Sequence, residues 1–334
     1  MTIRNICVYG AGALGGAFAA TIANTIGDQV KVTVIARGAQ LAAIKNNGLT
    51  IEKAGVETFT ARVDATDNPF ELPPQDLVIT GLKGHQLADA AKGIAALLHE
   101  KTRVINILNG IPWWYFHGDE HSRFAERQLP ELDPHGQLWS LVGPQRVIGC
   151  VAYQGAEVIE PGTTRLSGNG RFFLGEPSGD MSADLNAISA LLTSAGLNIL
   201  PTPRIRDEIW LKLTNNAAFN PISALTRSRM DAIMANPHTA AQVRNVMGET
   251  KNVGEAFGAT FEKSLDELVD RPGGYDPVRT SMLQDCLAGK QLEIMPLTGM
   301  VVTLGKIAGV PTPTCETILA LTLQLDQANR DGQG

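Results

Sequence analysis

Short apolar runs alternate with amphipathic stretches over the first part of the chain. Runs rich in β-branched residues predict strands at Ile3–Tyr9, Val30–Ala36, Asp76–Leu82 and Arg103–Leu108. A small-residue helical pattern follows the first run, and Leu87–Leu98 has helical periodicity between the third and the fourth. Strands that alternate with helices in this way predict a parallel sheet in an α/β domain.

The pattern changes after residue 146. Short strand candidates separated by Pro and Gly occur at Val147–Tyr153, Thr163–Leu166 and Arg171–Leu174, which predicts an antiparallel edge. A helix at Asp184–Ser194 and a strand at Asn198–Leu200 complete this part.

Helical periodicity dominates once Pro201-Thr-Pro203 has interrupted the chain. The predicted helices begin at Ile205 and continue with Thr239–Phe257, Ser281–Ile307 and Cys315–Asn329. We therefore predict two domains, an α/β domain of residues 1–203 and an all-helical domain of residues 204–334, a number that also suits a chain of 334 residues.

Composition narrows the classes of partner. A net charge of -6 provides no broad basic surface for nucleic acid, and no apolar run is long enough to span a bilayer. The cysteines Cys7, Cys150, Cys286 and Cys315 lack the paired spacings of zinc sites and indicate reduced thiols in a cytoplasmic protein. The N-terminal apolar stretch contains a pseudo-cleavage site at Ala17–Ala19, but its regular glycines argue against a signal peptide.

The glycine loop, Gly10–Gly15, follows a predicted strand and opens a predicted helix. In that context GxGxxG indicates a dinucleotide site, because backbone N–H groups at a helix N-terminus favour a pyrophosphate. The candidate cofactor contacts are Gly10, Gly12, Ala13, Leu14 and Gly15. The alternative is a glycine-rich turn of a flavodoxin-like protein.

The residue after the second strand bears on the choice of nucleotide. NAD enzymes place an acidic residue there to bond the ribose, whereas this chain has Arg37. A guanidinium suits the 2'-phosphate of NADP. The alternative, a solvated arginine, leaves the missing acid unexplained, so we predict NADP(H) as the cofactor.

Polar residues end two further strands. Lys83 and Gln86 follow the third predicted strand, and Asn109 follows the fourth. Ligands of open α/β sheets bind at this edge, so these residues are candidate cofactor or substrate contacts. Taken singly, each is more often an ordinary loop residue than a ligand.

Lys212, Asn216 and Asn220 lie four residues apart in WLKLTNNAAFNP, on one side of a predicted helix. A buried, unpaired ammonium is costly, so this polar stripe should face a cavity, and a cleft between the two domains would provide one. There Lys212 could donate a proton to a ketone while the asparagines orient the substrate. The alternative is a solvated face with Glu208 and Lys212 as a surface pair.

Ser281 and Glu293 complete the candidate site. Ser281 can contact substrate or start a helix as the first residue of a capping box with Gln284. Glu293 lies in an apolar setting within the predicted helix Ser281–Ile307, which makes it a candidate catalytic partner of Lys212.

These motifs together resemble those of the ketopantoate reductase family. The resemblance covers nearly the whole chain: GAGALGG, the arginine after the second strand, KGHQ, the NG at Asn109, RVIGCVAYQGAEV, WLKLTNNAAFN, SMLQDCLAGKQLEI and GVPTPTCETI. It implies a Rossmann-type dinucleotide-binding domain followed by an all-α domain of the 6-phosphogluconate dehydrogenase C-terminal-like type.

The resemblance also implies roles for single residues. Lys212 would be the general acid, and Asn216, Asn220, Ser281 and Asn109 would hold the substrate. Lys83 and Asn109 would lie near the nicotinamide, and Glu293 would contact the nicotinamide ribose or the lysine. NADPH would reduce ketopantoate, a small 2-keto acid, to pantoate without a metal ion.

Residues 111–146 depart from the compact family pattern. They contain Trp113–Phe116 and Trp139, which could form a substrate lid, a homodimer contact or a packing cluster. The same mechanism on a bulkier 2-keto acid therefore stays open, as does an NADP-binding redox sensor without turnover. His117, His121 and His135 could be drawn as a metal site, but the proposed chemistry requires none.

Overall fold

A computed structural model describes residues 2–120, 122–271 and 273–332. The chain divides into two compact units. The first comprises the chain up to Leu108 together with Trp113–Ile205, and the second comprises Asn109–Pro112 together with the chain from Arg206 onward. The first unit thus extends to Ile205 rather than ending at residue 203, and four residues after the fourth predicted strand belong to the helical unit.

The first unit is built on one mixed sheet. Its strands, within the described residues, are β1 (Asn5–Tyr9), β2 (Lys31–Ile35), β3 (Leu49–Lys53), β4 (Val56–Ala61), β5 (Asp64–Thr66), β6 (Leu77–Thr80), β7 (Arg103–Ile107), β8 (Val147–Glu160), β9 (Thr163–Gly175) and β10 (Ile199–Pro201). The order is β4-β3-β9-β8-β7-β6-β1-β2-β5, with β10 paired to β9. The pairs from β2 through β1, β6 and β7 to β8 are parallel, which confirms the predicted α/β class.

The antiparallel part of the sheet is more extensive than predicted. Thr163–Leu166 and Arg171–Leu174 belong to one continuous strand, β9, which pairs with a β8 that continues to Glu160. Glycines and polar residues fill the middle of both strands, so their sequence resembles a turn. The register shifts at this point, between the pairs Tyr153–Arg171 and Gly155–Ser167, and pairing resumes beyond it, so a bulge stands where a break was predicted. Strands β3 to β5 were not predicted from the sequence.

Four helices cover the sheet: α1 (Ala13–Ile26), α2 (Gly38–Asn47), α3 (Gly84–Ala95) and α4 (Ala183–Ser194). Helix α1 is made almost wholly of small and apolar residues, and most of its length is buried. Its Phe18 packs edge-on against Phe172 of β9, with ring centroids 4.8 Å apart. This packing fixes α1, and with it the loop at its N-terminus, on the sheet.

The second unit is helical. Its helices are α5 (Ile205–Thr226), α6 (Met230–Ala235), α7 (Pro237–Ala256), α8 (Leu265–Val269), α9 (Ser281–Leu287), α10 (Met300–Ala308) and α11 (Pro313–Arg330). Trp210 of α5 is fully buried and lies so close to Gly254 of α7 that a Cβ there would be 2.9 Å from the indole. In the part of the chain that the structure describes, no helix is long and apolar enough to cross a membrane.

The predicted helix Ser281–Ile307 is wrong, because three pieces occupy that stretch. Helix α9 ends at Leu287, a π-helical turn spans Met295–Gly299, and α10 begins only at Met300. Gly289 has a left-handed φ of 63°, which few other residues adopt, and Pro296 cannot continue an α-helical hydrogen-bond ladder. The apolar pattern that predicted one helix therefore covers two helices, α9 and α10, and the irregular segment between them.

Candidate functional site

The backbone of the glycine loop packs closely against the ends of β2 and β6. Gly10 has a φ of 99° and donates its N–H to the Ile35 carbonyl at the end of β2, at 3.0 Å. A Cβ on Gly15 would overlap the Gly10 carbonyl oxygen, and a Cβ on Gly81 would lie 2.6 Å from it. Only glycines therefore allow β1, α1 and the end of β6 to approach this closely.

Helix α1 presents an uncapped N-terminus beside this loop. Its N-cap is Gly12, which has no side chain to cap the helix, and the first turn contains no acidic residue. Gly12 is exposed. Backbone N–H groups and the helix dipole at such a position favour an anionic group, and phosphate is the common ligand.

Arg37 lies at the end of β2, where it is the exposed N-cap residue of α2. Its charge acts on Tyr9 at the end of β1. Burial and the neighbouring Cys7 raise the pKa of the Tyr9 hydroxyl, and the Arg37 guanidinium opposes them. Arg37 is thus a positive charge at the edge where β1 and β2 both end.

Lys83 and Gln86 mark the start of α3. The Lys83 N–H donates to Gln86 Oε1 at 3.1 Å, so Gln86 caps the helix that Lys83 opens. Both residues are half-buried. A capping role for Gln86 leaves its amide nitrogen as the group through which it could contact a ligand.

In the second unit, Lys212 of the predicted polar stripe is hydrogen-bonded to Asn109. Lys212 Nζ, on α5, donates to Asn109 Oδ1 at 2.6 Å, and both residues are half-buried. This contact between Lys212 and Asn109 was not predicted from the sequence, and the pairing of Lys212 with Glu293 stays a prediction. An amide oxygen holds the ammonium in place without adding a compensating negative charge.

The turn that carries Asn109 is fixed by the π-helical turn Met295–Gly299. Gly110 has a φ of 83°, and a Cβ there would overlap the Pro296 carbonyl oxygen. The same oxygen accepts the N–H of Ile111 at 2.8 Å. Thr298 Oγ1 in turn donates to the Ala217 carbonyl of α5 at 3.3 Å. These contacts fix Asn109 relative to the helix that carries Lys212.

The two further asparagines of the predicted stripe lie on α5. Asn216 is half-buried and Asn220 is buried, one and two turns beyond Lys212. Their helical spacing places both on the Lys212 side.

Asn215 and Arg271 flank this stripe. Arg271 donates from Nη2 to Asn215 Oδ1 at 2.6 Å, and its guanidinium lies 4.8 Å from the centroid of Tyr275. The Tyr275 ring packs in turn against Phe219 of α5. Neither contact of Arg271 was predicted from the sequence.

The settings of Ser281 and Glu293 differ from those predicted. Thr280, not Ser281, is the N-cap of α9, since its Oγ1 accepts the Leu283 N–H at 3.2 Å. The capping-box interpretation of Ser281 is therefore wrong, and its hydroxyl lies exposed in the first helical turn. Glu293 is half-buried in the irregular connection before Met295 rather than within a helix.

The aromatic residues of the segment 111–146 form a packing cluster. Trp113, Trp114, Tyr115 and Phe116 are each at most 3% exposed. Trp113 packs edge-on against Trp139 at 6.2 Å, and Trp114 covers Gly149 of β8. Rings buried in this way present no surface for a second protomer, so the packing interpretation is the one that the burial favours.

The histidines of that segment do not converge on a metal site in what is described. His117 Nδ1 lies 2.9 Å from Glu126 Oε2, while His121 lies outside the described residues. Burial acts to raise the pKa of the Glu126 carboxyl, but hydrogen bonds from His117 and the Gly118 N–H outweigh it, so the pKa is lowered. Across residues 2–120, 122–271 and 273–332, no group of three or more His, Cys, Asp or Glu side chains could hold a metal ion.

Together the two units define a class of enzyme. A Rossmann-type sheet with a glycine loop at a helix start, and a helical unit with a fixed lysine, are typical of dinucleotide-dependent oxidoreductases. Comparison with known families makes this specific. The family model of ketopantoate reductase PanE/ApbA matches residues 6–179, and the model of its C-terminal domain matches residues 204–326. The chain belongs to the ketopantoate reductase family.

Individual relatives agree with this assignment. A 2-dehydropantoate 2-reductase from Mesorhizobium japonicum is 42% identical over 96% of this chain and 97% of its own. The crystal structure of a candidate ketopantoate reductase from Ralstonia solanacearum MolK2 superposes with a TM-score of 0.91 at 35% identity, covering 98% of this chain and 99% of the other.

A more distant structure shares the fold alone. D-mandelate dehydrogenase, in a ternary structure with NADH and anilino(oxo)acetate, has a TM-score of 0.82 at 20% identity, over 98% of this chain and 99% of its own. The same fold thus occurs in oxidoreductases that differ in name, and the substrate has to be argued from residues.

Proposed function

We propose that this protein reduces 2-dehydropantoate to pantoate with NADPH, a step toward pantothenate and coenzyme A. The observation that carries the proposal is the 2.6 Å hydrogen bond that holds the Lys212 ammonium against Asn109, beside the asparagines of the same helix. A 2-dehydropantoate 2-reductase that is 42% identical over nearly the whole chain supports the choice of substrate.

The residues present fit a dinucleotide. The backbone of Gly10, Gly12, Ala13, Leu14 and Gly15 would hold the pyrophosphate at the N-terminus of α1. Glycine is required at position 15, because a Cβ there would overlap the Gly10 carbonyl oxygen. Arg37 would hold the 2'-phosphate with a bidentate guanidinium. Lys83, Gln86, Asn109 and Glu293 would contact the nicotinamide half. When bound, NADPH supplies the hydride that reaches the keto carbon.

The chain's own residues handle the proton and the substrate. Lys212 donates a proton from Nζ to the keto oxygen as that oxygen gains negative charge. Asn109 fixes the direction of the ammonium by accepting one of its N–H groups at Oδ1. Asn216, Asn220 and Ser281 would bind the carboxylate and the hydroxyl of the substrate, so that the keto carbon is presented in one orientation.

The test compares initial rates of NADPH oxidation with ketopantoate, pyruvate, 2-ketoisovalerate and an aryl 2-keto acid at equal concentrations. We expect the highest kcat/KM with ketopantoate. A preference for the aryl acid would replace the substrate while keeping the mechanism. Tight NADPH binding without turnover of any of the four would contradict the proposed reductase and favour a redox sensor.

A further inference from the structure

The side-chain amide of Gln40 is hydrogen-bonded both to the glycine loop and to the turn between β8 and β9. Gln40 is the third residue of α2, and its Nε2 donates to the Ala11 carbonyl at 2.8 Å. Its Oε1 accepts the Gly162 N–H at 3.0 Å, from the turn between β8 and β9. One half-buried side chain therefore connects two segments that are far apart in sequence.

The orientation of this amide is determined by its partners. A backbone N–H only donates and a carbonyl only accepts, so the oxygen of Gln40 must face Gly162 and the nitrogen must face Ala11. Gly162 is itself anchored, because its carbonyl accepts the Thr50 N–H of β3 at 2.8 Å. The hydrogen bond from Gly162 therefore fixes the oxygen of the Gln40 amide, and its Nε2 donates to the glycine loop.

The hydrogen bond from Gln40 Nε2 fixes the orientation of one peptide group in the glycine loop. The Ala11 carbonyl and the Gly12 N–H belong to one planar trans peptide, in which they point in opposite directions. Holding the carbonyl toward Gln40 therefore fixes the direction of the Gly12 N–H. Rotation of this peptide changes the ψ of Ala11 and the φ of Gly12, and Gly12, the N-cap of α1, has the wide φ freedom of a glycine, which the hydrogen bond from Gln40 restrains.

We propose that Gln40 is a positioning residue for pyrophosphate recognition, which it serves by fixing the Ala11–Gly12 peptide. This inference rests on the proposed dinucleotide function. Gln40 lies one helical turn after Arg37, yet the two residues act on different parts of the cofactor. Arg37 distinguishes NADPH from NADH, whereas Gln40 serves the pyrophosphate that both contain.

The test measures equilibrium binding of NADPH, NADH and 2'-AMP to the wild type, Gln40→Ala and Arg37→Ala. We expect Gln40→Ala to weaken NADPH and NADH by the same factor, about 10-fold for one lost orienting hydrogen bond. Its affinity for 2'-AMP, which has no pyrophosphate, stays at the wild-type value. Arg37→Ala gives the reverse pattern, with weaker NADPH and 2'-AMP and unchanged NADH. Gln29→Ala, at an exposed glutamine of the same unit, is the matched control.

Further readouts separate positioning from damage to the fold. For Gln40→Ala, KM for the dinucleotide should rise by more than kcat falls, and the circular dichroism spectrum without cofactor should match that of Gln29→Ala, which shows that the variant is folded. Gln40→Glu keeps the shape and the acceptor toward Gly162 but places an oxygen against the Ala11 carbonyl. It should weaken both dinucleotides at least as much, and it carries the test if the alanine variant does not fold.

Two outcomes would overturn the inference. Wild-type affinity for both dinucleotides in the Gln40 variants would show that the peptide does not depend on Gln40, and a loss confined to NADPH would assign Gln40 to the 2'-phosphate instead. Failure of the proposed function looks different, because the wild-type protein itself would then bind neither dinucleotide.

Discussion

Lys212 and Asn109 are 103 positions apart in the sequence, and a 2.6 Å hydrogen bond joins the ammonium of one to the amide oxygen of the other. Asn109 is neutral, so the contact positions the lysine without the added stabilisation of its charge that a carboxylate would give. A proton donor should combine a fixed direction with a transferable proton. The contact with Asn109 gives the Lys212 ammonium a fixed direction, which supports our proposal that Lys212 is the acid.

Replacing Asn109 should separate orientation from charge. We expect Asn109→Ala to lower kcat by roughly 10²-fold, because a misplaced catalytic group can cost that much. Asn109→Asp keeps the contact but stabilises the ammonium, so the alkaline limb of the kcat–pH profile should move to higher pH. The profile is measured at saturating substrates, with Asn252→Ala on the exposed side of α7 as the control. An unshifted alkaline limb in the aspartate variant would argue against Lys212 as the acid.

Arg37 should determine which nicotinamide cofactor is preferred. Arg37→Ala removes charge-assisted hydrogen bonds to the 2'-phosphate, so kcat/KM with NADPH should fall roughly 10- to 100-fold while the value with NADH changes little. Steady-state kinetics with each cofactor measure the ratio. If the variant loses both cofactors equally, the guanidinium acts somewhere other than at the 2'-phosphate.

Gly110 should tolerate no side chain. Gly110→Ala combines a positive φ, which costs an L-residue about 1–2 kcal/mol, with an overlap against the Pro296 carbonyl. Gly309→Ala is the matched control, since Gly309 has a φ of 74° but nothing within 4 Å of its would-be Cβ. We expect Gly110→Ala to lower the melting temperature more than the control and to reduce kcat, because Asn109 is displaced. If the two variants lose the same melting temperature, the backbone around Pro296 relaxes to accommodate the added methyl group.

Asp76 should make stability depend on acid pH. Burial acts to raise the pKa of this carboxyl, but hydrogen bonds from the N–H groups of Arg4 and Asn5, at 2.8 and 2.9 Å, and from His99 outweigh it. With the folded pKa below the unfolded one, the stabilisation is complete above the ordinary value of 3.8 and is lost as pH falls through the folded pKa.

Urea unfolding at several pH values tests this expectation. The difference in unfolding free energy between the wild type and Asp76→Asn should be largest near neutral pH and should shrink in acid. Asp89→Asn, at an exposed position of α3, should show no such trend. A difference that stays constant down to low pH would mean that the carboxylate charge contributes nothing.

Local patterns were enough to predict the parts of the structure that depend on local interactions. The strands around the glycine loop, α1 and the polar stripe of α5 follow from periodicity and from glycine spacing. The continuous strand β9 was divided in two, because its middle has the composition of a turn, whereas the ladder with β8 accommodates that stretch as a bulge. The break after Leu287 was missed for the opposite reason, since apolar spacing continued across Gly289 and Pro296.

Contacts between distant segments had no signal in the sequence. Nothing in the sequence near Asn109 or Lys212 indicates that they meet, because their contact depends on the Pro296 carbonyl and its hold on the turn at Gly110. Gln40 appears in the sequence as an ordinary helical glutamine, and its two partners become visible only when the sheet is assembled. The sequence therefore allowed candidate site residues to be predicted, but not the residues that they contact.

The most direct test of the account is the turnover of Lys212→Ala with ketopantoate and NADPH, measured together with the dissociation constant for NADPH. We predict a fall in kcat of ~10²–10⁴-fold, the usual contribution of a positioned acid, with NADPH affinity close to that of the wild type. Lys263→Ala, an exposed lysine of the same unit, should retain both values. Wild-type kcat in Lys212→Ala would contradict the proposed mechanism.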